Sequence, residues 1–345
     1  NAEFNSMYVW GVKKLGKELM GIHFYLHLEN ARGEKIMGKH YPELMAGEHA
    51  VFTFDPRVID AMYKEVKAGL GPIYLNLVGL SDADIAALGD PVHEELTHLM
   101  GNDTMYLVKE KAGIDPSKER LELWPRLLYT GGGLRIDTKC RTTVPGLWAA
   151  GGACSNIWTC GGGSQGGLGV QSAAVTGFTA GEDAGAYAMD NPLPGTDPAY
   201  AERIVSRVTA PLRRSGDVDA YEITYRVHEA IVPMEYNRIR EAGRMREALG
   251  ILEDARERLE RVGAADLHDL ARYHSAESML MAAEATYRAA LTREESRSQH
   301  FREDFAERDD ENWFKWIAIE QQDGEAKLST LPIPVDKYRL QPDRR

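Results

Sequence analysis

The sequence predicts a chain of mixed class, α/β and α+β at first and helical afterwards. Three observations predict it. Strand and helix signals alternate through residues 21–130. Fifteen of the 33 glycines then fall between Gly131 and Gly185. Residues 198–305 carry apolar residues at helical spacing.

In the first part, His23-Phe24-Tyr25-Leu26-His27-Leu28 reads as a strand and Asn30 to Glu34 as a turn. Asp55-Pro56 marks a helix start, with an acid at the cap and proline in the first position. Val58, Ile59, Met62 and Val66 give that helix an apolar stripe. Pro72 to Val78 reads as a second strand. Ser81-Asp82-Ala83-Asp84 reads as the capped start of another helix reaching Leu88. Beyond Pro192-Leu193-Pro194-Gly195, which punctuates a boundary, Leu249, Leu252 and Leu259 share a helical stripe. Met279, Ala282, Ala283 and Tyr287 share another. Pro332, Pro334 and Pro342 predict an extended tail.

Composition excludes several classes. The chain has 345 residues, 43% hydrophobic and 27% charged, which is a globular balance. Its net charge of -12 argues against nonspecific nucleic-acid binding and against attraction to anionic membranes. No apolar run approaches the roughly 20 residues of a membrane span. Asn1 to Trp10 has no basic start followed by an apolar stretch, so it does not read as a secretory signal. Three cysteines, Cys140, Cys154 and Cys160, imply no disulfide framework. A reducing cytoplasm is the simplest compartment.

The glycine segment is the candidate site. Val144-Pro145-Gly146-Leu147-Trp148-Ala149-Ala150-Gly151-Gly152 reads as a turn, a short buried strand and a glycine pair. Open α/β sheets bind ligands at such strand ends. Gly161-Gly162-Gly163-Ser164-Gln165-Gly166-Gly167-Leu168-Gly169 then leads into a helix from about Val170 to Ala188. Gly177, Gly181 and Gly185 lie four apart on one face of it. Glu182 and Asp183 exclude a membrane-dimer reading. A helix start behind a glycine-rich loop offers free N–H groups and partial positive charge, which suits a phosphate or a carbonyl that becomes anionic on reduction. A tightly packed structural turn is the alternative. Gly161-x-Gly163-x-x-Gly166 matches the dinucleotide fingerprint only by letters.

These residues resemble the flavoprotein subunits of fumarate reductase and succinate dehydrogenase. Pro145-Gly146-Leu147-Trp148-Ala149-Ala150-Gly151-Gly152 is similar to that family's PGLYAAGE turn and strand. The helix from Gly166-Gly167 through Ala173, Gly177 and Ala180-Gly181 is similar too. Arg288-Ala289-Ala290-Leu291, Glu295-Ser296-Arg297, His300 to Asp304 and Arg308 to Trp313 resemble its carboxyl-terminal helical domain. The likeness covers most of the chain from about residue 21. It implies four parts: a capping-type α+β domain over 1–130, the carboxyl-terminal segment of a flavin domain over 131–190, a helical domain over 198–310 and an extended tail over 311–345. It implies FAD in the full-length protein, with Gly151, Gly152, Gly166, Gly167, Gly169 and Val170 as contacts. The family's opening strand and pyrophosphate-binding turn lie upstream. The implied partners are therefore an amino-terminal FAD-binding segment of the same protein and an electron-transfer subunit. The chain alone is expected to be inactive and to hold FAD incompletely.

The resemblance breaks at the substrate. Leu128 stands at the family's histidine, and Asp55, with Arg57 nearby, at its proton-donating arginine. Ser164 stands at its substrate-clamping arginine and Gly152 at its glutamate. Four such changes imply that the flavin frame is kept and dicarboxylate chemistry is not. Gly71-Pro72-Ile73-Tyr74 and the acidic insert after Leu80 look similar to the alpha chain of adenylylsulfate reductase, a relative with different chemistry. The two readings are an FAD-dependent oxidoreductase acting on another substrate, and a degenerate flavoprotein-like binding or assembly module.

Other candidates are weaker. Arg126 and Arg135 flank the Gly131 turn and, with Ser164, are the substrate candidates; surface arginines are the equal alternative. His93 and His98 are five apart and do not share a helix face, so no metal is expected. Cys154 and Cys160 read as two small buried thiols rather than a redox pair. Arg297, His300 and Arg302 read as structural ion pairs.

Overall fold

A five-stranded sheet in the order β2-β1-β5-β4-β3 underlies the first part of the chain in the computed structural model. Residues 1–4, 15–16, 19–23, 47–54, 89–103, 155–167, 193–194, 196, 298–299, 323–324, 338 and 340–345 lie outside the description. The chain divides into two units, Tyr8–Leu128 and Asn1–Met7 with Tyr129–Arg345.

In the first unit, β3 (Leu28–Glu29) pairs antiparallel with β4 (Ile73–Leu75), which pairs antiparallel with β5 (Leu121–Gly131). β1 (Asn5–Val12) and β2 (Lys17–Glu18) complete the sheet, residues 5–7 and 129–131 being counted with the second unit. Helix α1 (Ile36–His40) packs on α2 (Pro56–Lys67). Asp55 caps α2 by accepting from the Arg57 N–H, and Pro56 sits in its first turn. Ser81 and Asp84 form a reciprocal capping box on α3 (Asp82–Ala87). A further helix, α4, spans Thr104–Glu110.

Two expectations change here. Residues 24–27 form a 3-10 turn rather than a strand, and strand geometry starts at Leu28. Phe24 and Tyr25 are both buried, and the Tyr25 hydroxyl donates to the Leu44 carbonyl. On α2, Val58, Ile59 and Met62 are buried, but Val66 is exposed and its neighbour Glu65 is buried. The Glu65 carboxylate receives Asn30, Lys39 and His40, so burial is offset by three donors.

In the second unit, α5 (Leu168–Asp190) follows the glycine segment and α6 (Pro198–Val208) follows α5. The helical core is α7 (Ala220–Ile231), α9 (Ala242–Leu259) and α10 (Leu267–Thr292), packed against one another. Asp219, Glu241 and Asp266 cap these three helices. Ile223, Val227, Met245, Leu252, Tyr273 and Leu280 meet in the interior. Each such side chain stabilises the fold by roughly 1.5–3 kcal/mol. The predicted stripes hold at Leu252, Leu259, Ala283 and Tyr287, all buried.

A short helix, α8 (Met234–Asn237), leads to β6 (Ile239–Arg240), which pairs in parallel with β7 (Phe301–Arg302). The ion pairs predicted around Arg297 and Arg302 are present. Glu295, fully buried, receives Arg293, Arg297 and the Asp309 N–H; Arg302 pairs with Asp304. The stretch expected to be extended contains α11 (Asp310–Trp313) and an antiparallel hairpin of β8 (Lys315–Gln322) and β9 (Glu325–Pro332).

Candidate functional site

The candidate site is built where the chain leaves β5, turns back and meets α5. Gly133 pairs antiparallel with Cys154, and the Leu134 N–H donates to the Ala153 carbonyl at 2.7 Å. A Cβ on Gly133 would lie 2.3 Å from that carbonyl oxygen, so no other residue fits. A second turn runs through Asp137 to Trp148. There Arg141 pairs with Trp148 and the Ala149 N–H donates to the Cys140 carbonyl. The two elements deliver residues 149–154 to the side of α5.

Gly151 is buried and left-handed, with φ of 57°. Its N–H donates to the Thr176 hydroxyl at 2.9 Å, and an added Cβ would press within 3.1 Å of the Ala173 Cβ. Gly152 is exposed, with open space where a side chain would be. Gly169 is also exposed and open, and Val170 is 83% exposed. Four predicted contacts, Gly151, Gly152, Gly169 and Val170, are thus brought to one region, the 151–153 turn and the helix packed on it. Gly166, Gly167 and Ser164 lie outside the described residues.

The first turn of α5 leaves backbone N–H groups without helical partners, at the positive end of 23 residues of helix. Among the described residues, nothing stands within 4 Å of a side chain added at Gly152 or Gly169. These residues therefore fit the electron-accepting part of a flavin.

The side chain of Arg126, on β5, lies outside the description. Arg135 is exposed, and no hydrogen bond or ion pair among the described residues joins it to Gly151 or α5. Cys140 and Cys154 are free and buried, and burial pushes both thiols up, away from reactivity. Cys160, His93 and His98 lie outside the described residues. Among the described residues, no group of His, Cys, Asp and Glu side chains is arranged to hold a metal ion, and no helix is long and apolar enough to cross a membrane.

Sequence reasoning missed two features. Asp183 carries the heaviest polar load on α5. Hydrogen bonds from Arg141 hold its carboxyl well below the usual range, with Trp148 and Lys139 adding to them. Its spacing of seven from Thr176 was the available signal. The second is a polar cleft of about 480 Å³ in the helical part, lined by Arg214, Asp217, Asp219, Asp269 and Arg272. Its carboxylates are already engaged. Asp219 caps α7, Asp217 pairs with Arg261 and Asp269 with Arg272.

Residues 26–167 match the family described as FAD binding domain, and residues 230–345 match Fumarate reductase flavoprotein C-term. In Methanothermobacter marburgensis, one chain of the CoM/CoB fumarate reductase is 29% identical over 291 residues, 81% of this chain and 48% of that protein. FrdA of Escherichia coli quinol fumarate reductase superposes with a TM-score of 0.79 at 24% identity, covering 99% of this chain and 60% of that one. Adenylylsulfate reductase of Archaeoglobus fulgidus gives 0.68 at 19%, covering 97% and 61%. At these identities the structural likeness is one of fold.

Fold and sequence together liken the chain to one class, flavoproteins with an FAD binding domain. Within it, the chain resembles the carboxyl-terminal portion of the fumarate reductase and succinate dehydrogenase flavoprotein. The cofactor of that class is FAD. The chain spans about half the length of the curated relatives it matches.

Proposed function

We propose that this chain supplies the capping domain, the flavin-facing helix and the helical domain of an FAD-dependent oxidoreductase whose substrate is neither fumarate nor succinate. The observation that carries the reading is the state of α5. One face packs on the Gly151 turn. The other leaves Val170 83%, Phe178 68% and Met189 88% exposed. Of residues 169–190 only Ala180 is buried. An apolar helix this bare needs a cover. An amino-terminal FAD-binding segment of the same protein would supply that cover and the pyrophosphate site. A separate subunit for electron transfer and a cytoplasmic setting complete the reading.

FAD, when bound, supplies the two-electron chemistry. This chain's residues would do the rest. The N–H groups at the start of α5 would hold the ring edge that gains negative charge. Gly152 would let the backbone approach it, while Gly151 holds the turn against the helix. Arg126, Arg135 and Ser164 are the groups proposed to meet the substrate. Asp55 stands where the family keeps a proton-donating arginine, and its carboxylate is occupied by Arg57 at 2.8 Å. That pairing engages the neighbouring guanidinium through Nε and Nη2, and it favours the second reading, a non-catalytic binding module.

Coexpression with the upstream segment tests both. The oxidoreductase reading expects a yellow complex with stoichiometric FAD that a dye can reduce and reoxidise. The chain alone should be nearly colourless. A colourless complex would overturn the proposal and leave the binding module.

A further inference from the structure

We infer that Thr176 and Asp183 are positioning residues that fix the register of α5 on the Gly151 turn, and so fix where the helix start meets the flavin. The second half of this inference rests on the flavin reading above.

Helix α5 is held on one face at four levels. Ala173 lies against Gly151. One turn on, Thr176 accepts the Gly151 N–H at 2.9 Å and donates its own proton to the Ser172 carbonyl at 2.5 Å. Two turns further, Asp183 accepts from Trp148 Nε1 at 2.9 Å and from Arg141 Nη2 at 2.8 Å and Nε, with Lys139 Nζ at 3.4 Å. Tyr187, one turn beyond, meets the Trp148 ring edge-on at 5.3 Å. Residues 173, 176, 180, 183 and 187 share this face by helical spacing.

The rest of the helix offers little to choose one register over another. Among the described residues nothing stands within 4 Å of a side chain added at Gly177, Gly181 or Gly185, and large apolar residues on the far side are exposed. Glycine and alanine present a nearly flat surface, over which a helix slides or turns at little cost. Directional bonds break that degeneracy. A slip of one residue moves the helix start by about 1.5 Å and turns it by about 100°. That takes Thr176 off Gly151 and Asp183 off Trp148 together, since a hydrogen bond does not survive such a displacement. Gly169 and Val170 ride on the same rod, so their N–H groups go with it.

Four forms test the inference: the unaltered chain, Thr176→Val, Thr176→Ser and Asp183→Asn. Valine keeps the shape of threonine without its hydroxyl, and serine keeps the hydroxyl. Amide exchange at Gly151, read by NMR on the flavin-free chain, should be roughly tenfold faster in Thr176→Val and unchanged in Thr176→Ser. In the complex with the upstream segment, Thr176→Val and Asp183→Asn should each weaken FAD binding by roughly tenfold, and Thr176→Ser should match the unaltered protein. Equal Gly151 exchange in all forms overturns the register claim. Lost Gly151 protection with FAD affinity and flavin potential unchanged overturns the link to the flavin. If the unaltered complex takes no FAD, the proposed function fails together with that link, and Gly151 exchange still decides the register claim.

Discussion

The side-chain amide of Asn30 donates to the carboxylate of Glu65 at 2.7 Å, joining the turn after β3 to the last turns of α2. Asn30 is fully buried and Glu65 is 1% exposed. Lys39 and His40 close on the same carboxylate from α1. One acid therefore ties three successive segments of the first unit.

This knot predicts an acid-labile fold. Burial works against the Glu65 charge, but the bonds from Asn30, Lys39 and His40 outweigh it and hold the group at about 2, from an ordinary 4.5. The unfolded chain takes up the proton first as pH falls. The stabilisation is therefore fully present above about 4.5 and is lost as pH falls toward 2. At 1.36 kcal/mol per unit it amounts to about 3 kcal/mol. Urea unfolding of Glu65→Gln should show a lower midpoint at neutral pH and a flatter dependence on pH between 4.5 and 2. Equal slopes in the two proteins would remove Glu65 from this role.

His300 predicts a second loss of stability at higher pH. Burial, reinforced by Arg240 and Arg293, pushes its pKa well below 6.5. Its Nδ1 accepts from Arg240 Nη1 at 2.7 Å, and its Nε2 donates to the Arg293 carbonyl at 3.1 Å. The neutral ring is the folded form. Stability is complete above 6.5 and declines below it, because only the unfolded chain is protonated there. His300→Gln keeps an acceptor and a donor in similar places and cannot titrate. Its unfolding midpoint should lose the slope just below pH 6.5 while keeping the one below 4.5. An unchanged upper slope would show that another group carries it.

Legibility followed locality. The helix starts at Asp55-Pro56 and Ser81 were readable because a cap and its N–H lie two or three residues apart. The glycine segment was readable because a backbone that touches backbone, as Gly133 does at Ala153, admits one residue type. The 3-10 turn at Phe24–His27 was not, since six apolar and aromatic residues suit either geometry until Leu44 supplies the partner for Tyr25. The burial of Glu65 in place of Val66 was not readable either, because its partner Asn30 lies 35 residues away. Thr176 and Asp183 offered only their spacing of seven for the same reason, answering Gly151 across 25 residues and Trp148 across 35.

The occupied Asp55 predicts failure on dicarboxylates. Its carboxylate already receives the Arg57 N–H at 2.9 Å and side chain at 2.8 Å. The Asp55–Arg57 pair carries no net charge to draw a carboxylate in, and Leu128 has no polar group to donate. Loss of one well-placed donor in an oxyanion-type site costs about 2.7–4 kcal/mol. Two such losses leave little turnover. The flavin-loaded complex, supplied with reduced dye, should show no fumarate reduction above the dye's own background. Turnover at ordinary enzyme rates, on the order of 10 per second, would restore fumarate as a substrate.

The start of α5 predicts the flavin's potential. Among the described residues nothing lies within 4 Å of a would-be Cβ on Gly169, and aspartate and asparagine are alike in size. The two differ in charge and little else. At the positive end of a 23-residue helix, a carboxylate satisfies the N–H groups that would otherwise meet the electron-rich edge of the ring. It also repels the charge that reduction places there. A helix-end charge is worth about 0.3–1 kcal/mol when exposed and up to about 2 when partly buried. Gly169→Asp in the complex should therefore bind FAD more weakly than Gly169→Asn, or hold it at a lower midpoint potential, or both. High salt should narrow the difference if the site stays open to solvent. Spectroelectrochemical titration of both variants checks this. If they match in affinity and potential, the helix start is not electrostatically coupled to the flavin, and the ring belongs elsewhere on the protein.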